Sequence, residues 1–114
     1  MNNLLFLKVK ETVYNWLKSN EKLESNNVSV EMLSNNEHHL RAILTFGECL
    51  AELRVEKPDF APFRFVCFEM LRIEHGDVST VHTWYDNESS TLDEIIKSLD
   101  KAVDIALESI LRTK

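Results

Sequence analysis

Hydrophobic and polar residues alternate through the middle of the chain, from Val28 to Tyr85, and an amphipathic segment lies at each end of this region. An apolar residue at every second position is typical of a strand with one face on a core. The alternation divides into strand-like stretches at residues 28–32, 40–46, 51–55, 63–73 and 78–85. Because the links between these stretches are short, they favour an antiparallel meander.

The two flanking segments have the period of a helix instead. From about Asn3 to Ser19, apolar residues recur at steps of three and four, which places them on one helical face. The last segment opens with Thr91-Leu92-Asp93-Glu94, a capping-box sequence, and its apolar face continues to about Arg112. Two such helices would cover one side of the sheet. The sequence therefore predicts one α+β domain over residues 1–114, a five-stranded antiparallel meander flanked by an N-terminal and a C-terminal helix.

The fourth stretch is unusual because it is apolar at both parities. We predict that one set faces the core: Phe63, Phe65, Cys67, Leu71 and Ile73. We predict that the other set forms an exposed strip rimmed by charge: Val66, Phe68 and Met70 with Ile43, Val81 and Tyr85, bracketed by Arg64 and Arg72. Apolar strips of this kind often mark interfaces. The alternative is that the N-terminal helix crosses to that side and covers the strip.

Glu69 has the parity of the set that is predicted to face the core. An unpaired buried carboxylate is costly, so this residue needs either a β-bulge that turns it outward or a buried partner. We favour the bulge.

Composition and charge narrow the function classes. The chain has 114 residues, which can form a core without disulfides or a metal. A net charge of −6 argues against a nucleic-acid binder and is compatible with a basic protein partner. No apolar window is long enough to span a membrane, and the N-terminus lacks the basic start of a signal peptide. We therefore expect a cytoplasmic protein with no membrane partner and with Cys49 and Cys67 as free thiols.

Residue types that carry catalysis are present, but their spacing is wrong for it. The histidines and cysteines have no metal-ligand spacing, and the adjacent His38 and His39 would point to opposite faces of a strand. The apolar neighbours of Cys67 should raise its pKa and blunt its reactivity. Two isolated glycines, Gly47 and Gly76, cannot build a phosphate-binding loop. We predict no catalytic residue, no cofactor and no metal site, and therefore no enzyme.

The layout of the chain resembles that of the TriTu-type immunity proteins of bacterial polymorphic toxin systems. The similarity lies in a leading helix with a tryptophan, at Val13–Lys18, and in a strand, a tight glycine turn and an acidic strand, at Leu44–Glu52. The closing Leu92–Ile96 is similar in kind. The layout covers most of the chain, whereas the region from Phe63 to Tyr85 contributes no matching motif.

This resemblance implies a non-enzymatic protein that binds and blocks a cognate, basic toxin domain. The residues that we expect to contact the toxin are acidic or aromatic: Glu48, Glu52, Glu56, Trp84, Tyr85, Asp86 and Glu88. The alternative is a small dimeric secretion-type chaperone or adaptor, which would form a homodimer through the outer sheet face or add a strand from a client.

Overall fold

The structure, a computed structural model, describes residues 3–58 and 62–112, with the backbone alone at positions 3, 111 and 112. Its elements are α1 (Asn3–Lys18), α2 (Glu21–Ser25), β1 (Ser29–Asn35), β2 (His39–Phe46), β3 (Cys49–Glu56), β4 (Val66–Glu74), β5 (Asp77–Tyr85) and α3 (Leu92–Arg112). The predicted α+β class and the order of helix, five strands and helix are confirmed. The short α2 is an addition, because one helix alone, from about Asn3 to Ser19, was predicted before the first strand.

Local sequence explains where the helices begin. The side chain of Asn20 accepts a hydrogen bond from the Leu23 backbone N–H at 3.1 Å, which caps α2, and buried Leu23 anchors this turn to the core. At the start of α3 the Thr91 N–H donates to Glu94 Oε1 at 2.9 Å, and the Glu94 N–H donates to Thr91 Oγ1 at 3.1 Å. The predicted capping box is therefore confirmed.

The five strands form one antiparallel sheet in the order β1-β2-β3-β4-β5. Gly47 closes the β2–β3 hairpin with a φ of 60°, a left-handed conformation that suits glycine because it has no Cβ. The two edge strands each carry one extra residue relative to their neighbours, Leu33 in β1 and Val81 in β5. These β-bulges interrupt the ladder at both ends of the strand order.

Both helices pack on the same face of the sheet, and the core lies between them and the strands. Side chains at every second position of β2 and β3 are buried there, from Leu40 to Phe46 and from Cys49 to Val55. The Trp16 indole N–H donates to Asp100 Oδ1 at 2.8 Å, which ties α1 to α3. We call this the covered face of the sheet.

The predicted orientation of the fourth stretch is wrong. Val66, Phe68 and Met70 are fully buried on the covered face, opposite Val55, Leu53 and Ala51 of β3. Directly opposite residues of an antiparallel pair point to the same side, so the register with β3 decides the orientation of β4. The remaining members of the predicted strip divide between the two sides: Val81 packs on the core, the Arg72 guanidinium bonds to Ser109 of α3, and Ile43 and Tyr85 lie on the other face.

The bulge that was favoured for Glu69 is also not found at that residue. Glu69 stays in phase with Cys67 and Leu71, opposite Glu52 of β3, and its side chain is 42% exposed. It needs no bulge to reach solvent because its face is the one that the helices leave open. The alternative was a buried partner for the Glu69 carboxylate. Arg54 is this partner at 3.1 Å, but the ion pair is partly exposed and not buried.

Candidate protein-binding face

The side of the sheet opposite the helices, which we call the uncovered face, is left open by both α1 and α3. The register aligns its side chains in rows across the strands. Along the four strands β2 to β5 they are, in order, His39, Arg41, Ile43 and Thr45 of β2, Leu50, Glu52, Arg54 and Glu56 of β3, Cys67, Glu69, Leu71 and Ile73 of β4, and Val78, Thr80, Thr83 and Tyr85 of β5.

One half of the uncovered face is charged and is organised around Arg54. Its guanidinium lies 3.1 Å from Glu69, 3.6 Å from Glu52 and 3.6 Å from Glu56. Arg41 adds a contact of 2.6 Å to Glu52. Glu52 and Glu69 stand directly opposite each other, where like charges repel, and Arg54 bridges both. These three carboxylates exceed the two guanidiniums by one charge, so this half is negative and its side chains are held in place.

The other half of the uncovered face is apolar. Leu50 and Leu71 are opposite each other and half-buried, and Ile73 and Val78 form the next cross-strand pair. Ile73 is 50% exposed and Val78 is 60% exposed. These exposed apolar side chains lie next to the charged half on the same face of the sheet. Exposed apolar side chains bordered by charged ones make this face a candidate for protein binding.

Two aromatic side chains, Tyr85 and Phe63, border the charged half near the end of β5. The Tyr85 ring stacks on Phe63 with the ring centroids 6.0 Å apart, and the Arg54 guanidinium carbon lies 5.7 Å from the Phe63 centroid.

Cys67 is fully buried beside Arg54 and Tyr85. The pKa of the Cys67 thiol is raised to about 11, mainly by burial and also by the Glu69 carboxylate, against the opposing hydrogen bond from Arg54. The predicted raised pKa is confirmed, and at neutral pH this group is a thiol, not a nucleophilic thiolate.

The Asp86 side chain is buried and hydrogen-bonded within the fold, which excludes it from a binding site. It is 2% exposed, and its Oδ1 accepts hydrogen bonds of 2.9 Å from the backbone N–H groups of Arg64, Phe65 and Val66. The carboxylate therefore fixes the chain as it enters β4. Our expectation that Asp86 contacts a partner is corrected on this ground, because the group is buried and its charge is already engaged.

The other residues that were expected at the interface are not all on one surface. Glu52, Glu56 and Tyr85 share the uncovered face, whereas Trp84 lies on the covered face and packs against the core. Glu48 is exposed in the β2–β3 turn, at the opposite end of β3 from Glu56 and about 26 Å away at 3.3 Å per residue. Glu88 is exposed in the β5–α3 connection. The last two residues therefore lie outside the uncovered face.

Sequence reasoning missed Arg41, Arg54 and Glu69 as members of the site. The alternation in β3 already puts Arg54 between Glu52 and Glu56 on one face. No local pattern selects Glu69, because the other parity of β4 carries Arg72 and Glu74. Only the register with β3 brings Glu69 beside Arg54.

Other site types lack support in the described part of the chain. Within residues 3–58 and 62–112, no group of three or more His, Cys, Asp or Glu side chains is placed to hold a metal ion. Over the same residues no helix combines the length and the apolar character that a membrane span requires. Comparison with known protein families, with curated proteins and with solved structures finds no significant match to this chain.

Proposed function

We propose that this protein is a non-enzymatic protein-binding module that acts through the uncovered face of its sheet. More particularly, we propose that it is an immunity protein, which binds a cognate bacterial toxin domain in the cytoplasm and blocks it. The observation that carries the proposal is that both helices lie on one side, while the other side has exposed apolar residues beside an acidic cluster.

The edges of the sheet are poorer binding surfaces than this face. Strand addition needs a regular, unpaired edge, and both edge strands carry a bulge, at Leu33 and at Val81. Bulges are one of the devices by which natural sheets prevent edge-to-edge pairing. A partner is therefore expected to lie flat on the face, which disfavours a chaperone that adds a client strand.

The dimensions of the face favour a contact that extends to its rim. Strands of eight residues and five strands give roughly 26 Å by 19 Å, or about 500 Å² in projection, against about 800 Å² that each partner contributes to a standard interface. A toxin domain on this face would also contact side chains around it. We expect Glu48, in the β2–β3 turn, and Glu88, in the β5–α3 connection, to make such contacts.

Charge complementarity supports a basic partner. The chain has a net charge of −6, and the uncovered face has an excess of carboxylate over guanidinium. Opposite potentials accelerate encounter and penalise wrong partners. Because Arg54 fixes the carboxylates before binding, little side-chain entropy remains to be lost when a basic surface arrives.

The test is co-purification with the protein encoded by the adjacent gene, followed by variants of the face. Ile73→Asp with Val78→Asp should abolish capture, and Glu52→Gln with Glu56→Gln should weaken it and reduce its salt dependence. Glutamine is preferred to lysine because Glu52 touches two arginines. Glu24→Lys with Glu108→Lys changes the charge at exposed sites off the face and should have little effect. Capture that survives every change on the face would overturn the proposal.

A second candidate function is self-association through the same face, as a small dimeric adaptor. The exposed pair of Ile73 and Val78 favours it, because a C2 interface could place two such pairs together. Sedimentation velocity at micromolar concentration separates the two candidates. A stable dimer that Ile73→Asp disrupts supports the adaptor, and a monomer supports the inhibitor.

A further inference from the structure

A second surface lies on the helix side of the sheet, where α1 leaves β1 open. Helix α1 packs on β2 and β3, so the inward side chains of β1 are only partly covered. Val30 and Met32 point to this side, opposite Leu44 and Ala42, and Val30 is 39% exposed. The result is a groove with β1 as its floor and α1 as its wall.

The groove follows one stripe of α1. Three adjoining depressions, of about 300, 330 and 390 Å³, share Tyr14 or Leu7 as lining residues. Leu7, Glu11, Tyr14 and Lys18 recur at helical spacing, so they form a single row beside the buried stripe of the same helix. From Leu7 to Lys18 the row extends over about 16 Å at 1.5 Å per residue, which is three turns.

The charge of the groove is opposite to that of the whole chain. Its lining includes Lys10, Lys18 and Lys57 against Glu11 and Glu37, a balance of +1 where the protein is −6. Lys10 Nζ is 3.0 Å from Asn35 Oδ1, and Lys18 Nζ is 6.0 Å from the Tyr14 ring centroid. Within the described residues, neither of these two ammonium groups has a carboxylate at ion-pair distance. Their charge therefore remains for a bound anion.

From this geometry we infer that the groove between α1 and β1 is a docking site for an acidic amphipathic helix of a partner protein. The bulge at Leu33 interrupts the β1 edge, so an added strand would lose its register, whereas a helix needs no backbone pairing. A helix of three turns would place apolar side chains on Val30 and Leu7 and carboxylates beside Lys10 and Lys18. It would lie next to α1 and extend the helical layer over β1.

The inference is independent of the proposed function because the groove and the uncovered face lie on opposite sides of the sheet. The probe is a fluorescein-labelled synthetic 15-residue helix with leucines on one face and glutamates flanking them. A second peptide has lysine in place of each glutamate. Fluorescence anisotropy at low and at high salt reports binding, and circular dichroism confirms that each variant is folded.

The acidic peptide should bind saturably, and the lysine peptide should not. Lys10→Glu with Lys18→Glu should weaken binding by about tenfold or more through loss of attraction and added repulsion, and Val30→Asp should weaken it similarly. The matched control is Glu52→Gln with Glu56→Gln on the uncovered face, which should leave the affinity unchanged. If the acidic peptide fails to bind, or if it binds the groove variants as well as the native protein, the inference is overturned. A dimer that Val30→Asp dissociates would also overturn it, since a second copy would then fill the groove.

Discussion

The two faces of the sheet are built from the same five strands but from different chemistry. On the covered face, three consecutive positions of one parity in β4 are fully buried aliphatic or aromatic side chains, Val66, Phe68 and Met70. On the uncovered face, the positions between and beyond them are Cys67, Glu69, Leu71 and Ile73, which range from fully buried to half exposed. The difference teaches that the covered face supplies the core that stabilises the fold. The uncovered face is only partly buried by its neighbouring side chains, so it remains available for binding.

The largest expected effect contrasts the same residue type on the two faces. Leu53→Ala on the covered face should lower the free energy of unfolding by about 2–5 kcal/mol, because it leaves a cavity among fully buried neighbours. Leu71→Ala on the uncovered face should cost only about 1 kcal/mol, since this half-buried side chain loses less buried area. Urea denaturation of both variants checks the contrast. Equal losses would mean that the uncovered face is part of a core.

The next effect concerns Asp86, which joins the end of β5 to the start of β4. Asp86→Ala should lower stability by about 3 kcal/mol, because three backbone N–H groups lose a charged acceptor. Asp86→Asn keeps an amide oxygen at the site and should recover much of this loss. Thermal unfolding of the two variants measures which is the more stable. If Asp86→Ala is as stable as the native protein, the residue is not the anchor that its contacts indicate.

A smaller effect should follow from removal of Arg54. Arg54→Gln leaves Glu69 without its cation and Glu52 with Arg41 alone, so stability should fall by about 1 kcal/mol, and added salt should reduce the loss. A further Glu69→Gln should restore most of the stability, because it removes one of the two like charges. Denaturation of the single and double variants at low and high salt tests the coupling. No recovery in the double variant would assign the role of Arg54 to packing on Phe63.

The smallest effect is a pH dependence from the covered face. Burial, and then the charge of Lys101, lower the pKa of His82, which is opposite Met70 and has its ring 6.3 Å from Phe68. Since the unfolded chain binds the proton more readily, stability should be lost as the pH falls below the ordinary histidine value of about 6.5. The His82→Gln variant should lose less stability than the native protein when the pH falls from 7.5 to 5. Identical pH profiles would exclude His82 as the cause.

The fold was predictable from the sequence because alternation and helical spacing are local signals. The five strands, both main helices and the capping box at Thr91 and Glu94 all follow from residues that are close in the chain. The orientation of β4 was not predictable from the stretch alone, since both of its parities are apolar. The orientation is set by the register with β3, in which Phe68 is opposite Leu53 and Glu69 is opposite Glu52.

The candidate site was only partly predictable for a related reason. Glu52 and Glu56 share a parity with each other in one strand, so their common face could be predicted, but Arg54 gains its role from Glu69 across the sheet. Asp86 was expected to contact a partner as one of the acidic residues that the resemblance to immunity proteins assigned to the interface. Its burial depends on three N–H groups about twenty residues away, a contact that no local pattern encodes.

The most direct test uses a thiol as a probe of the uncovered face. Cys49 and Cys67 are buried, so in Ile73→Cys the new residue provides the one exposed thiol among the described residues. We expect it to react rapidly with a thiol reagent in the isolated protein and to be protected when the protein encoded by the adjacent gene is bound. A thiol at residue 73 that reacts equally fast with and without that protein would contradict binding at this face.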